Sequence, residues 1–412
     1  IASPASPAAL RGGAIEATLA IDADGLRVQT LKRALGEVYA PGEAPLFGAM
    51  RVSAEGATQG GVFAGQANAA LSARPLSTLV RADIQHEWAS ATGQASLRTG
   101  ALTVEPGGLQ LAQILPSIAS LAQNSAGGAD ADGEVRWSKA GLAPITATVA
   151  LRDLSFEPEG LPRIEGLTTQ IRFDDFLNLT SLPDQIVRVL RIEGPLPLEN
   201  GEIRFQMKKD GIVDISSARW PFAGGFLTLR PAQWRLDGEP NDIVIEAAAI
   251  DLAPLAQMLK LNDVDLTGIV NGAVPIRIAG EDLAVEKGLL SAGGAGRVRY
   301  AGAVGAQAAS AAGAAKLAFD GLSDFAYDLL SAELNGKLNG PMRLDLVLEG
   351  RNPALLYGHP IRYEIGVEAD FAQLLAQTSA SLNLWSVALS SSEAQNSIPP
   401  AADGGQDEPE ND

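Results

Sequence analysis

The sequence contains no cysteine and only two histidines, His86 and His359, in 412 residues. Without thiolates there is no disulfide framework and no Cys-built zinc site, although either oxidising or reducing compartments remain open to it. The two histidines stand far apart with no acid–histidine pattern around them, so neither reads as a general base. A GxSxG elbow, an HExxH helix, a P-loop and a strand-linked GxGxxG are also missing, and Gly293-Gly294-Ala295-Gly296 has the wrong spacing for a dinucleotide. The expectation is a protein that is not an enzyme, with no catalytic residue, no metal ligand and no cofactor.

Basic charge is scarce as well. With 31 Lys+Arg against 49 Asp+Glu, the net charge is −18, the reverse of a nucleic-acid footprint. An anionic membrane surface repels such a chain, so work at membranes has to be apolar or partner-mediated. No run approaches the ~20 apolar residues of a transmembrane helix. The chain starts at Ile1 with no signal-peptide pattern, which reads as an excised segment whose anchor lies upstream.

Large aromatic filler is thin too. Aromatics are 5% of residues, and the 46% hydrophobic content is mostly Ala, Leu, Val and Ile. What the sequence does have is period-two alternation from end to end. Ile15, Ala17, Leu19 and Ile21 alternate with Glu16, Thr18 and Ala20. Ile203, Phe205 and Met207 alternate with Glu202, Arg204 and Gln206. Met342, Leu344, Leu346 and Leu348 oppose Arg343, Asp345 and Glu349, and Ile361, Tyr363, Ile365 and Val367 oppose Arg362, Glu364 and Glu368. Shorter bursts recur at Val135–Trp137, Ile145–Leu151, Ile171–Phe173, Ile243–Ala249, Val274–Ile278 and Leu382–Leu384.

Each such segment makes a strand with one apolar and one polar face. Strands of this kind build antiparallel, one-side-solvated sheets, whereas the continuous Val/Ile runs of a parallel α/β core are almost absent. Asp24-Gly25, Asp132-Gly133, Asn200-Gly201, Asp210-Gly211, Asp237-Gly238, Asn271-Gly272, Asn335-Gly336 and Asn339-Gly340 read as hairpin turns. The carboxylate pairs Asp22/Asp24, Asp130/Asp132, Asp174/Asp175 and Asp263/Asp265 read as solvated turn residues, since no EF-hand ligands or converging groups follow.

Short amphipathic patches at Leu109–Leu121, Pro183–Leu190, Asp251–Leu259 (Asp251 as N-cap) and Asp370–Gln377 read as helices capping sheet ends. Gly293–Gly313 is an Ala/Gly-rich loop around a strand at Arg297–Tyr300, and residues 390–412 form an acidic disordered tail. Helix, glycine turn and paired strands follow one another both at Leu111–Leu151 and at Leu252–Ile278, a thin internal similarity. The expected fold is mainly β, an elongated antiparallel sheet over residues 1–389. Alternation leaves two forms open: a closed sandwich core, or one sheet curled lengthwise into a groove, which the small aliphatic side chains favour.

The stretch Leu151–Trp234 carries, in order, LRDLSFEPEGLPRIEGLTTQIRFDDF, LPDQIVRVLRIEGPLPLENGEIRF and WPFAGGFLTL. DLAPLAQML, DLTGIVNGAVPIRI and LNGPMRLDLVLEGRNPALLYGHPIRYEI continue it. Over residues 151–389 the chain resembles the YdbH-like branch of the AsmA-like proteins. The resemblance implies a long curled β-groove in the periplasm of a Gram-negative bacterium, anchored upstream in the inner membrane and carrying phospholipid toward the outer membrane. It further implies a small outer-membrane lipoprotein partner at the C-terminal strand, where this chain departs by its acidic tail. An older family label of dicarboxylate transport finds no anion site in these residues. The groove lining is expected at Ile203, Phe205, Met207, Ile276, Ile278, Leu344, Leu346, Leu348, Tyr363, Ile365 and Val367. The rival expectation is a structural scaffold for outer-membrane assembly with a closed β core.

Overall fold

A computed structural model of the chain describes residues 9–22, 25–39, 45, 47–75, 77–194, 196–261, 263–280, 282–301, 314–370 and 384–391. Strands make up 67% of it and belong to one antiparallel sheet that does not close into a barrel. The first strands are β1 (Ala9–Asp22), β2 (Gly25–Tyr39), β3 (Met50–Gln59), β4 (Val62–Leu71), β5 (Val80–Glu87), β6 (Thr92–Arg98) and β7 (Leu102–Val104). Then come β8 (Gln123–Ser138), β9 (Gly141–Leu142), β10 (Thr146–Glu157), β11 (Ile164–Asp175), β12 (Thr180–Ser181), β13 (Gln185–Ile192) and β14 (Leu198–Met207). The middle continues with β15 (Ile212–Phe222), β16 (Gly225–Leu229), β17 (Ala232–Arg235), β18 (Asn241–Asp251), β19 (Val264–Thr267) and β20 (Ile269–Ala279). Last are β21 (Asp282–Ala292), β22 (Gly296–Tyr300), β23 (Phe325–Lys337), β24 (Pro341–Arg351), β25 (Ile361–Asp370) and β26 (Leu384–Ser391).

Almost every strand pairs with its neighbour in sequence. The ladder runs β1–β2–β3–β4–β5–β6–β8–β10–β11–β13–β14–β15–β16–β18–β20–β21–β23–β24–β25–β26. The short strands share a partner with a longer one: β7 pairs with β8 as β6 does, β12 with β11 as β13 does, β17 with β15 as β16 does, and β22 with β23 as β21 does. At ~4.8 Å per rung, about twenty rungs measure on the order of 95 Å.

A meander this regular puts alternate connections on opposite margins. One margin has tight hairpins, such as Gly60-Gly61 between β3 and β4, and Asp210-Gly211 between β14 and β15. The other carries the longer connections and all three helices of the described residues: α1 (Leu111–Ile114), α2 (Leu252–Met258) and α3 (Ala314–Leu322). These are called the hairpin margin and the helix margin below. Asp251 caps α2 as expected, accepting from Ala253 N at 2.9 Å. Hydrogen bonds knit the helix-margin connections together: Gly48 N to Ile114 O at 2.9 Å, Glu159 N to Ser120 O at 2.8 Å, and Asp251 N to Ala223 O at 2.9 Å. None of the three helices is long and apolar enough to cross a membrane.

Three readings of the sequence need correction. The segment read as a helix at Pro183–Leu190 is strand β13, where Gln185, Val187 and Val189 are buried and Arg188 and Leu190 exposed, so that burial follows period two. The patch at Leu109–Leu121 is a single turn of α-helix broken from a 3-10 turn at Pro116. Four of the Asx-Gly pairs read as turns (132–133, 200–201, 271–272 and 335–336) lie inside strands. The helix expected at Asp370–Gln377 falls outside the described residues beyond Asp370, as do the turn residue Asp24 and residues 392–412 of the expected tail.

Two of the three Asn-Gly pairs inside strands, 271–272 and 335–336, serve bulges instead of turns. Ala249 and Lys287 hold left-handed φ values of 55° and 54° at register shifts in β18 and β21. Each N–H, displaced from the ladder, donates to the asparagine on the adjoining strand: Ala249 N to Asn271 Oδ1 and Lys287 N to Asn335 Oδ1, both at 2.8 Å. Asp153, φ 49°, repeats the device with Thr168 Oγ1 at 3.2 Å. Such bulges bend the strand and raise its twist, which a curled sheet requires.

Gly272 next to Asn271 is obligatory for another reason, since a Cβ there collides with the Leu289 carbonyl oxygen. Gly272→Ala should therefore cost about 2 kcal/mol and speed hydrogen exchange at the β20 and β21 amides. Gly280→Ala, at φ 60° with open space around it, should cost about 1 kcal/mol. Equal protection of β20 and β21 in both variants would refute the close approach.

Candidate functional site

The outer face of the sheet is ionic. Residues two apart share a face, and several pairs are so arranged: Arg136–Glu134 at 2.9 Å, Arg204–Glu202 at 3.0 Å, Arg343–Asp345 at 2.8 Å and Arg362–Glu364 at 3.0 Å. Arg188–Glu202 and Arg230–Glu246 join neighbouring strands at 3.2 and 2.6 Å. These exposed pairs are each worth at most about 1 kcal/mol, but they fix which face is wet.

The inner face is apolar in unbroken rows along the ladder. Leu102, Ala129, Leu151, Thr169, Val187, Ile203, Ala218, Leu229, Ile245 and Val274 are successive register partners, none of them exposed. Thr169, the single polar member, turns its hydroxyl to Ile186 O at 2.8 Å. A second row runs Trp220, Leu227, Ala247, Gly272, Leu290, Ala332, Leu346 and Ile365. In the N-terminal half the residues are smaller: Ala34, Ala54, Ala67, Ala82, Leu97, Gly133 and Ala147 are successive partners.

Among the described residues no second sheet covers these rows. Val189 is nevertheless only 3% exposed and Leu229 6%, and the side chains packed against Val189 and Leu229 come from strands of this same sheet. A flat sheet leaves such residues open to water, so the burial comes from curl. Toward the C-terminal end the helix margin contributes cover as well. Leu252 and Ala256 of α2 and Leu322 of α3 join Phe325, Tyr327, Leu330, Leu348, Ile361 and Tyr363 in the largest buried cluster.

The expected lining residues divide accordingly. Ile203, Met207, Ile276, Ile278, Leu344 and Leu346 are half-buried, and Phe205 is buried among strand residues. Leu348 and Tyr363 are fully buried, and Ile365 and Val367 nearly so, within the cluster that includes α2 and α3. Sequence reading missed Val187, Ala218, Leu229 and Leu227, whose place in the rows follows from register alone.

Among the described residues no group of three or more His, Asp or Glu could hold a metal. Asp174 and Asp175 accept from Thr180 and Asn178 at 2.8 and 2.7 Å, as turn residues do. His359 lies in the connection before β25, while His86 packs against two tryptophans.

Two phenols sit in the C-terminal cluster. Tyr327 Oη donates to Thr267 O at 2.8 Å, and burial holds its pKa up. Burial, helped by the Asp320 carboxylate, lifts Tyr363 further above the ordinary 10.0. Its ring meets Phe325 edge-on at 4.9 Å.

Fold and face together define a class: a single-layer, open antiparallel β protein with a continuous apolar surface. The chain belongs to the YdbH-like family, whose family model, described as intermembrane phospholipid transport protein YdbH, matches residues 4–385. That is a lipid-transport family and not an enzyme family. No curated protein and no solved structure matches the chain.

Because the Tyr363 phenol is raised, the folded state binds more protons than the unfolded state above pH 10.0. Its contribution is therefore whole below that pH and drains away as pH rises toward the folded value. Tyr363→Phe should lose about 1 kcal/mol at neutral pH yet show a flatter alkaline limb when denaturation is followed from about pH 9 to about 12. Parallel limbs would mean that the phenol is not held neutral.

Proposed function

We propose that this chain is a periplasmic segment of a bridge-like protein that carries phospholipid between the inner and outer membranes of a Gram-negative cell, along its apolar β-groove. Family membership supplies the cargo. The observation that carries the groove is the row from Leu102 to Val274 across ten rungs, aliphatic except for Thr169, whose hydroxyl is satisfied by the Ile186 carbonyl. Each acyl CH₂ costs about 0.8 kcal/mol in water, so a two-chain lipid faces on the order of 20 kcal/mol in crossing an aqueous space. Continuous apolar rows remove most of that cost without a closed pocket, cofactor or energy source, while the headgroup stays in water between the margins.

Ile203, Phe205, Met207, Ile276, Ile278, Leu344 and Leu346 line this path, which continues to Leu348, Tyr363, Ile365 and Val367. The strands from β1 to β26 act as one groove segment, which reaches Ser391 and so passes the expected bound of 389 by two residues. The inner membrane is reached through an anchor outside this chain. At the other end β26 pairs with β25 alone among the described strands, so its free edge suits strand addition by an outer-membrane lipoprotein. Partner binding that survives deletion of Leu384–Ser391 would end that idea.

A structural scaffold is the second reading, favoured by the buried cluster under α2 and α3. Crosslinkers separate the two. Photoreactive residues at Ile203, Ile276 and Leu346 should capture phospholipid, while those at Arg204, Arg277 and Asp345 stay silent; equal labelling of both faces, or none, favours the scaffold. Leu346→Asp should cut lipid transfer at least about tenfold, the weight of one buried charge in an apolar path, with circular dichroism unchanged.

A further inference from the structure

The few aromatic side chains are not scattered. Every one among the described residues lies within three positions of a strand end or in a connection or helix at a margin, and the rows between are mostly aliphatic residues and glycine. Proteins in lipid show this segregation where an aliphatic zone meets water, because indole and imidazole rings are apolar in body and polar at the tip.

The tightest example is at the hairpin margin. Thr58, Phe63, His86, Gly93 and Trp137 are successive register partners across β3, β4, β5, β6 and β8. Gly93 is needed there because the Trp137 indole lies over it, in the space a Cβ would take. The indole Nε1 donates to His86 Nδ1 at 3.2 Å, with the rings stacked 6.1 Å apart. Trp88 meets the imidazole edge-on at 4.8 Å, and its own Nε1 donates to Thr58 Oγ1 at 3.1 Å.

With Nδ1 accepting, the neutral imidazole carries its proton on Nε2. No described residue pairs with that nitrogen. His86, Trp88 and Trp137 are all half-exposed. Four residues inward along the same strands, about 13 Å, stand Ala67, Ala82, Leu97 and Gly133, which leave space below the rings.

We infer that this row is a headgroup register. The phosphate–glycerol region of a passing phospholipid rests on Trp88 and Trp137, His86 Nε2–H donates to a phosphate or ester oxygen, and the acyl chains run down over the small-residue rows. The inference rests on the groove reading above and adds which margin the headgroup follows.

The test uses the full chain and two phospholipid probes, one with a diazirine in the headgroup and one with it at the acyl terminus, with labelled peptides mapped by mass spectrometry. The headgroup probe should label the peptides holding Trp88 and Trp137, and the acyl probe those holding Ala67, Ala82 and Leu97. His86→Ala should lower headgroup labelling about fivefold, the factor for one net hydrogen bond, and leave acyl labelling alone. His86→Gln, which keeps an N–H donor, should restore most of it. Headgroup labelling at the helix margin, or equally at both, overturns the register and leaves the groove standing; no labelling by either probe removes the groove itself. Competition by free glycerol 3-phosphate makes the row a soluble-phosphate site and also overturns the inference.

Discussion

Backbone pairing between consecutive strands is the one interaction that runs through this molecule from β1 to β26. Among the described residues no second sheet presses against it, and the buried side chains fall into separate clusters instead of one core. Stability in such a ladder is close to a sum of nearest-neighbour terms, as in solenoid proteins. Each rung must therefore hide its apolar face with the help of the few rungs beside it, by curvature, and toward the C-terminal end under α2 and α3 as well. The bulges at Asp153, Ala249 and Lys287, each with its N–H caught by a side chain on the next strand, supply bend without leaving the displaced N–H unpaired.

The same economy governs the large side chains. Several rings lie against the sheet where a neighbouring residue has no Cβ. Trp137 lies over Gly93, Trp220 over Gly201, Tyr327 over Gly268 and Gly296, and Phe63 over Gly56 and Gly65. High glycine content thus belongs to the strands as much as to the turns.

That double use explains where the sequence was legible and where it was not. Period two is a local property, so the strands and their wet and dry faces could be read directly, from Ile203–Met207 to Ile361–Val367. An Asn-Gly pair is chemically identical in a hairpin and beside a bulge. Asn339-Gly340 turns the chain, whereas Asn335-Gly336 four residues earlier receives Lys287 N from another strand; only long-range register tells them apart. The rows were illegible for the same reason, since Val187, Ile203 and Ala218 become neighbours only through pairing. The helix α3 follows an Ala/Gly tract with little periodicity to mark its start, and β13 carries apolar residues dense enough to suggest a helical stripe.

On the proposed reading, the gradation along the rows matters as much as their continuity. A path that conducts must bind its cargo everywhere by about the same small amount, because any deep well holds the lipid and any polar gap stops it. Alanine and glycine rows in the N-terminal half give a shallow, uniform floor. Leucine, tyrosine and phenylalanine under α2 and α3 fill the C-terminal half, so cargo arriving there meets side chains already satisfied by one another. Passage then requires either displacement of that cover or transfer along the half-buried residues at its edge, such as Leu344 and Leu346. The sheet itself cannot supply this difference, since its pairing is the same at both ends; it is written in side-chain volume, and that is where resistance to flow along the groove concentrates.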